Sequence, residues 1–276
     1  MTVLIELPGV LASTAGLERV ITTLRGFPDV GLADLFLFEE TAGTGVGNAV
    51  LKRPSGQLEK INPGDYGGDY TWLGGHGGLQ IQGTQMVSMP DFNPAEPWSL
   101  VYLGGVTGVL SGATEAISAL IAFRDRSFAN IRGPQLSARA FQAGGSLGYY
   151  QVRAWQGAAD GATSNLQPTT TGVVSQYRVA ILSYDGGTTV TASMYDKAGA
   201  LVSTASVSAS DAGMTTNAGT VKALAKPTIG ISNTIYDGGI QQVEAFARYS
   251  HVLNAEDITR ICKNGASLGA ARGRAW

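Results

Sequence analysis

The 276-residue chain is 44% hydrophobic, enough to bury a sizeable core, but its charged fraction of 14% falls well below the usual value of about 25%. Nineteen Lys and Arg face 21 Asp and Glu, so a net charge of −2 excludes the basic footprint that nucleic-acid phosphates demand. One cysteine, Cys262, excludes an internal disulfide, and no run of about 20 apolar residues offers a membrane-crossing helix.

The start, Met1-Thr2-Val3-Leu4-Ile5-Glu6, has neither the basic nor the long apolar region of a signal peptide, so synthesis and folding in a cytoplasm are expected. Low charge also weakens repulsion between copies, which suits a protein packed in an assembly. Glycine occurs 38 times, often paired between short apolar runs, as at Gly67-Gly68, Gly104-Gly105, Gly144-Gly145 and Gly186-Gly187. Such pairs are turn chemistry, and many turns imply many short strands.

Residues 1–31 read as an N-terminal arm. Leu17, Val20, Ile21 and Leu24 make a helical stripe across Thr14 to Arg25, with Ser13 or Thr14 to cap it and Gly26 and Pro28 to stop it. That helix would lie across a sheet edge or serve as an attachment arm for a partner subunit. From Leu32 onward the pattern is β. Strands are predicted over 33–38, 78–82, 85–89, 98–104, 117–123, 135–141, 147–155, 176–184, 188–196, 200–207, 227–232 and 240–249. Tyr177, Val179 and Ile181 should share one face; Val243 and Ala245 should face opposite to Glu244 and Phe246. Asp196-Lys197-Ala198-Gly199 reads as a hairpin turn. A helix should follow the last strand, capped by Asn254 with Asp257 three residues on, carrying Ile258 and Ile261 inward and ending at Gly265. The expected division is an arm (1–31), a β-sandwich (32–266) and a C-terminal tail (267–276).

Three segments, taken in order, resemble the concanavalin A-like lectin/glucanase (laminin G-like) domains. Gly31-Leu32-Ala33-Asp34-Leu35-Phe36-Leu37-Phe38-Glu39-Glu40-Thr41-Ala42-Gly43-Thr44 is similar to that family's opening strand and turn. Tyr177 to Gly186, then Thr189 to Tyr195 and the turn at Lys197-Ala198-Gly199, is similar to its central hairpin. Val243 to Ile258 looks like its closing strand followed by a capped acidic helix. Trp72-Leu73-Gly74-Gly75 with Gly77-Gly78-Leu79-Gln80-Ile81 resembles the strand that returns toward the first. The likeness spans roughly residues 31–266. It implies an all-β fold: a two-sheet antiparallel jelly-roll sandwich, here with a short N-terminal and a short C-terminal helix.

The family includes glycoside hydrolases, which need two carboxylates about 5–5.5 Å apart for retention. On a strand this means acidic residues two apart. The acidic candidates are Glu39-Glu40, Asp65 with Asp69, Asp125 and Glu256-Asp257, and none forms that row. Glu39 and Glu40 are adjacent and should point to opposite faces. His76 and His251 are the only histidines, Gly-x-Ser-x-Gly is absent, and Gly43-Thr44-Gly45-Val46-Gly47 lacks the Lys-Ser/Thr of a phosphate loop. One Cys and two His make a zinc site unexpected. No cofactor is expected; calcium is the metal that the turn carboxylates Asp65, Asp69, Asp185 and Asp237 could take, though turn Asp ordinarily bonds its own backbone. Sugar contact would use aromatic platforms, and Tyr66, Tyr70, Trp72 and His76 cluster in one glycine-rich stretch. Trp98 and Trp155 are expected in the core.

The expected function is non-enzymatic: a structural protein of a bacteriophage virion (capsid decoration, tail or baseplate subunit) displaying a lectin-like sandwich for surface or host-glycan contact. Its expected partners are other virion proteins and further copies of itself, with no nucleic acid and no membrane, and its place is the virion after synthesis in the host cytoplasm. A stand-alone carbohydrate-binding module and a glycoside hydrolase are the alternatives.

Overall fold

The structure is a computed structural model that describes residues 23–24, 26–50, 53–60, 70–73, 78–82, 85–109, 115–124, 131–141, 149–156, 159–166, 178–196, 198–210, 212, 214, 226–231 and 239–273. In chain order the strands are β1 (Thr23–Leu24), β2 (Phe27–Pro28), β3 (Leu32–Phe36), β4 (Gly45–Val46), β5 (Gly56–Lys60), β6 (Thr71–Trp72), β7 (Leu79–Gln82), β8 (Gln85–Ser88) and β9 (Trp98–Val109). They continue as β10 (Glu115–Arg124), β11 (Ile131–Phe141), β12 (Tyr149–Gln156), β13 (Ala159–Leu166), β14 (Arg178–Tyr184), β15 (Thr189–Tyr195), β16 (Leu201–Ser208), β17 (Lys226–Ile231) and β18 (Gly239–Tyr249). One helix, α1 (Ala255–Ala271), follows β18.

Apart from the β1–β2 hairpin, the strands form two antiparallel sheets. The first runs β16-β15-β14-β9-β18-β7-β6, with β3 also on β18; the second runs β13-β12-β11-β10-β17-β8-β5-β4. Between them lies the main core, in which Phe36, Phe38, Trp98, Tyr102, Phe123 and Phe246 are almost completely buried. Trp98 packs 5.4 Å from Phe123 and 6.1 Å from Tyr184, centroid to centroid, so its expected place in the core is confirmed. Trp155 falls on β12.

A second apolar layer covers the outer face of the first sheet. Alternation along β14 sends Ala180 and Leu182 between the sheets and Val179 and Ile181 outward, as the sequence pattern requires. Ile258, Ile261 and Cys262 of α1 pack on that outer face with Val101, Leu103, Ala245 and Ala247. The helix crosses the strands: Gly199 of the β15–β16 turn abuts Thr259, Leu103 of β9 abuts Gly265, and Glu244 of β18 meets Arg272.

Asn254 caps α1 as expected, its Oδ1 accepting from the Asp257 N–H at 2.9 Å. Gly265 does not end the helix. A Cβ there would stand 2.6 Å from Leu103 Cδ1, so this glycine permits close helix–sheet approach. The helix runs on to Ala271, into what reads as the tail; Arg272 is the C-cap and Gly273 takes positive φ (72°). At the other end, Thr23–Leu24 is extended and pairs with Phe27–Pro28 around Gly26, so the last residues of the expected arm helix are strand. The rest of that expected helix lies outside the described residues.

The closing strand departs from simple alternation. Between Val243 and Ala245 the register to β9 shifts, leaving Glu244 as a bulge. Val243 and Phe246 therefore face the inter-sheet core together, while Ala245 and Ala247 face the helix. The expected grouping of Val243 with Ala245 is thus corrected. The bulge buries Glu244 completely, and Arg272 answers it: its Nη1 lies 2.6 Å from Glu244 Oε2 and 2.8 Å from the Glu244 carbonyl oxygen. Arg272 Nη2 donates to the Leu37 carbonyl at 2.9 Å.

This arrangement yields a stability prediction. Arg272→Met should destabilise the fold by about 3–5 kcal/mol in denaturant titration, because a buried carboxylate loses its guanidinium. The double variant Arg272→Met with Glu244→Leu should recover most of that loss; no recovery would mean that the pair does not act as a unit.

Candidate functional site

Tyr70 and Trp72 alternate onto one face of the β6 region, at the edge of the first sheet. Both rings are partly buried against the main core. Each sends its polar atom across the gap between sheet edges. Tyr70 Oη donates to the Met86 carbonyl on β8 at 3.2 Å. Trp72 Nε1 donates to the Gly43 carbonyl, in the turn before β4, at 3.4 Å. The pair thus bridges the seam between the two sheets, each residue half-buried. Tyr66 and His76 lie outside the described residues.

The facing loop has an unusual entry. Phe38 holds a left-handed backbone (φ 51°), which costs a bulky residue of the order of 1–3 kcal/mol. It persists because Phe36 and Phe38 are buried between the sheets while Leu37 is buried under the helix. The chain leaves the sheet there, turning Glu39 toward Arg272 (3.9 Å) and Glu40 onto the Gly47 N–H (2.6 Å). These adjacent carboxylates therefore diverge. Beyond them Gly43, also at positive φ (89°), carries the carbonyl that holds Trp72.

Buried carboxylates are engaged by arginines. Asp34 on β3 accepts from Arg248 Nε at 2.5 Å, Arg53 Nε at 3.0 Å and Asn48 Nδ2 at 2.8 Å. The Arg248 guanidinium also stands 4.7 Å from the Phe92 ring centroid. Glu256 pairs with Arg260 one turn along α1. His251 packs edge-on against Tyr249, 5.9 Å between centroids. Burial, with Asp196 nearby, pushes the Cys262 thiol up to about 12, so it carries no nucleophilic thiolate near neutral pH.

Of the turn carboxylates, Asp185 is described; Asp65, Asp69 and Asp237 lie outside the described residues. Asp185 Oδ1 accepts from the Gly187 N–H at 2.8 Å and the Thr189 N–H at 3.0 Å, closing the β14–β15 turn. Asp196 does the same in the β15–β16 turn, accepting from Ala198 and Ala200 at 2.8 and 2.9 Å. Among the described residues no three His, Cys, Asp or Glu side chains gather as a metal site, and no helix is long and apolar enough to cross a membrane.

The network of Asp34, Asn48, Arg53 and Arg248 escaped the sequence reading. The partners of Asp34 lie 14 to 214 residues from it and carry no spacing signal. The apolar run from Leu35 to Phe38 marks a strand but not the partners of Asp34.

No protein-family model matches the chain, and no curated protein matches it significantly in sequence. Solved structures share its fold. The binding domain of botulinum neurotoxin DC, in complex with rat synaptotagmin II, superposes with a TM-score of 0.54 at 7% identity, over 85% of this chain and 52% of that one. The receptor-binding domain of botulinum neurotoxin D gives 0.52 at 10% identity, over 87% and 53%. Trypanosoma rangeli sialidase gives 0.55 at 14% identity, over 95% and 37%. The chain therefore spans about half the length of the toxin chains and little more than a third of the sialidase. At such identities the likeness is one of fold, a two-sheet β-sandwich.

Backbone N–H donors to Asp185, those of Thr189 and Gly187 foremost, hold its carboxyl below the usual carboxylate range. A carboxylate so lowered contributes stability present above its ordinary pKa of about 4, which is lost as pH falls through the lowered value. Asp185→Asn should therefore flatten the acid limb of the stability–pH profile below about pH 4 relative to the parent. An unchanged limb would show that the turn draws nothing from the ionised group.

Proposed function

We propose that this chain is a non-catalytic binding subunit: a lectin-like sandwich that contacts glycan at the seam held by Tyr70 and Trp72. The carrying observation is that both residues, half-buried at the sheet edge, are fixed through their polar atoms, Tyr70 to a strand of the opposite sheet and Trp72 to the turn that leads into it. A ring immobilised before binding loses little entropy when a sugar face stacks on it. The toxin neighbours are named as a binding domain and a receptor-binding domain, which supports a binding role for a sandwich of this shape.

The non-catalytic character is supported by the use of the acids. Asp34 and Glu244 are buried against arginines, Asp185 and Asp196 close turns, and Glu256 and Asp257 occupy the first turn of α1, where carboxylates favour the helix dipole. The wider setting we propose is a bacteriophage virion, with the chain as an oligomeric capsid-decoration, tail or baseplate subunit. Its low charged fraction of 14% favours close packing among copies and other virion proteins.

Trp72→Ala should reduce binding on a glycan array by about tenfold or more while the thermal transition stays cooperative. Binding that survives this change and Tyr70→Ala would place the contact elsewhere. The virion setting is checked by mass spectrometry of purified particles: stoichiometric presence is expected, and absence contradicts it.

A further inference from the structure

Asp34 and Arg248 stand opposite one another in the register between β3 and β18. Two residues away on the same strands, Phe36 and Phe246 point between the sheets, so alternation sends Asp34 and Arg248 to that face too. Asn48 brings the chain after β4 onto β3. Its Oδ1 accepts from the Leu35 and Val50 N–H groups, both at 3.1 Å, and its Nδ2 donates to Asp34 at 2.8 Å and to the Pro54 carbonyl at 3.1 Å. This tie sets Arg53 beside Arg248 on one carboxylate.

The charges there do not cancel. Among the described residues Asp34 is the one acid within ion-pair distance of either arginine, so two guanidinium groups share a single negative charge. Both Asp34 oxygens are already occupied: Oδ1 by Asn48 Nδ2 and Arg53 Nε, Oδ2 by Arg248 Nε and, at 3.5 Å, Arg53 Nη2. Arg248 therefore meets Asp34 through Nε, and its Nη1 and Nη2 find no acceptor among the described residues. Its side chain is 10% exposed, and that of Arg53 is 37% exposed. The Phe92 ring, itself packed on Trp98 and Phe123, lies 4.7 Å from the Arg248 guanidinium and holds it in place. Burial foremost, and Arg53 with it, lower the Arg248 pKa against the pull of Asp34. A buried cation short of acceptors is costly, and an anion from solution relieves that cost.

The geometry points to the Arg248–Arg53 pair as a carboxylate-binding site that takes the acidic group of a negatively charged sugar. Two arginines against one aspartate leave a single positive charge, which matches a monoanion. The Nη1–Nη2 edge of a guanidinium matches the two oxygens of a carboxylate, and Arg53 closes over the bound group from the more exposed side. Arg248, held by Asp34 and Phe92, is in position before the ligand arrives. The carboxylate as the bound group stands on the two arginines; the sugar as its carrier rests on the proposed glycan contact.

The test follows the Arg248 Nε–H resonance of the full chain by nuclear magnetic resonance during separate titrations, at constant ionic strength, with sodium glucuronate, glucose, sodium acetate and sodium chloride. Glucuronate should give a saturable shift and glucose none. Arg53→Gln changes a part-exposed side chain; it should keep the thermal transition cooperative and weaken glucuronate binding about tenfold. An Arg248 resonance unmoved by glucuronate, an equal response to chloride, or an affinity unchanged by Arg53→Gln overturns the carboxylate site. Acetate that binds as tightly as glucuronate overturns the sugar as carrier. Either failure leaves the proposed glycan contact standing as long as binding on the glycan array still depends on Trp72.

Discussion

Strand β18 is hydrogen-bonded along both edges, to β9 on one side and to β7 and then β3 on the other. The change of partner falls at the Glu244 bulge, where one extra residue lets the strand serve two neighbours that are not collinear. That residue is an acid buried between sheet and helix, so the change depends on a cation being brought to it. Arg272 supplies it from the C-cap of α1 and at the same time ties down the Leu37 carbonyl at the end of the opening strand. One guanidinium thereby links the opening strand, the closing strand and the helix.

A second polar tie joins the sheets themselves. Gln241, three residues before the bulge and almost fully buried, donates to the Ala119 and Gly230 carbonyls of the second sheet and accepts from Tyr102 Oη. Its amide is satisfied by both sheets, which fixes their relative position more tightly than apolar packing alone. The rim inherits that rigidity. Tyr70 and Trp72 can bridge the sheet edges because the spacing between those edges is already set.

Much of the fold was legible in the sequence because its strands obey period two and its turns use Gly and Asp in their ordinary roles. The β14–β15–β16 meander is the clear case: Asp185-Gly186 and Asp196 with Gly199 close turns as their chemistry dictates. Strand β13 was missed because Ala159-Asp160-Gly161-Ala162-Thr163-Ser164-Asn165-Leu166 has little apolar alternation, as edge strands can. Gly265 was mistaken for a stop because a glycine needed for close packing and one needed for positive φ look alike in sequence. The bulge was hidden because one residue of slip inverts every later side chain without altering composition. For the candidate site, the aromatic spacing at Tyr70 and Trp72 was readable, but their partners Met86 and Gly43 are backbone carbonyls, which carry no sequence signature.

In the proposed function the sandwich is a rigid binding scaffold whose contact is the Trp72 seam. The most direct measurement is the two-dimensional nuclear magnetic resonance spectrum of the tryptophan indole N–H groups during titration with bound glycan. The account predicts a saturable shift of the Trp72 resonance, with the core Trp98 resonance unmoved. A saturable shift confined to Trp98, or binding with the Trp72 resonance stationary, would contradict it.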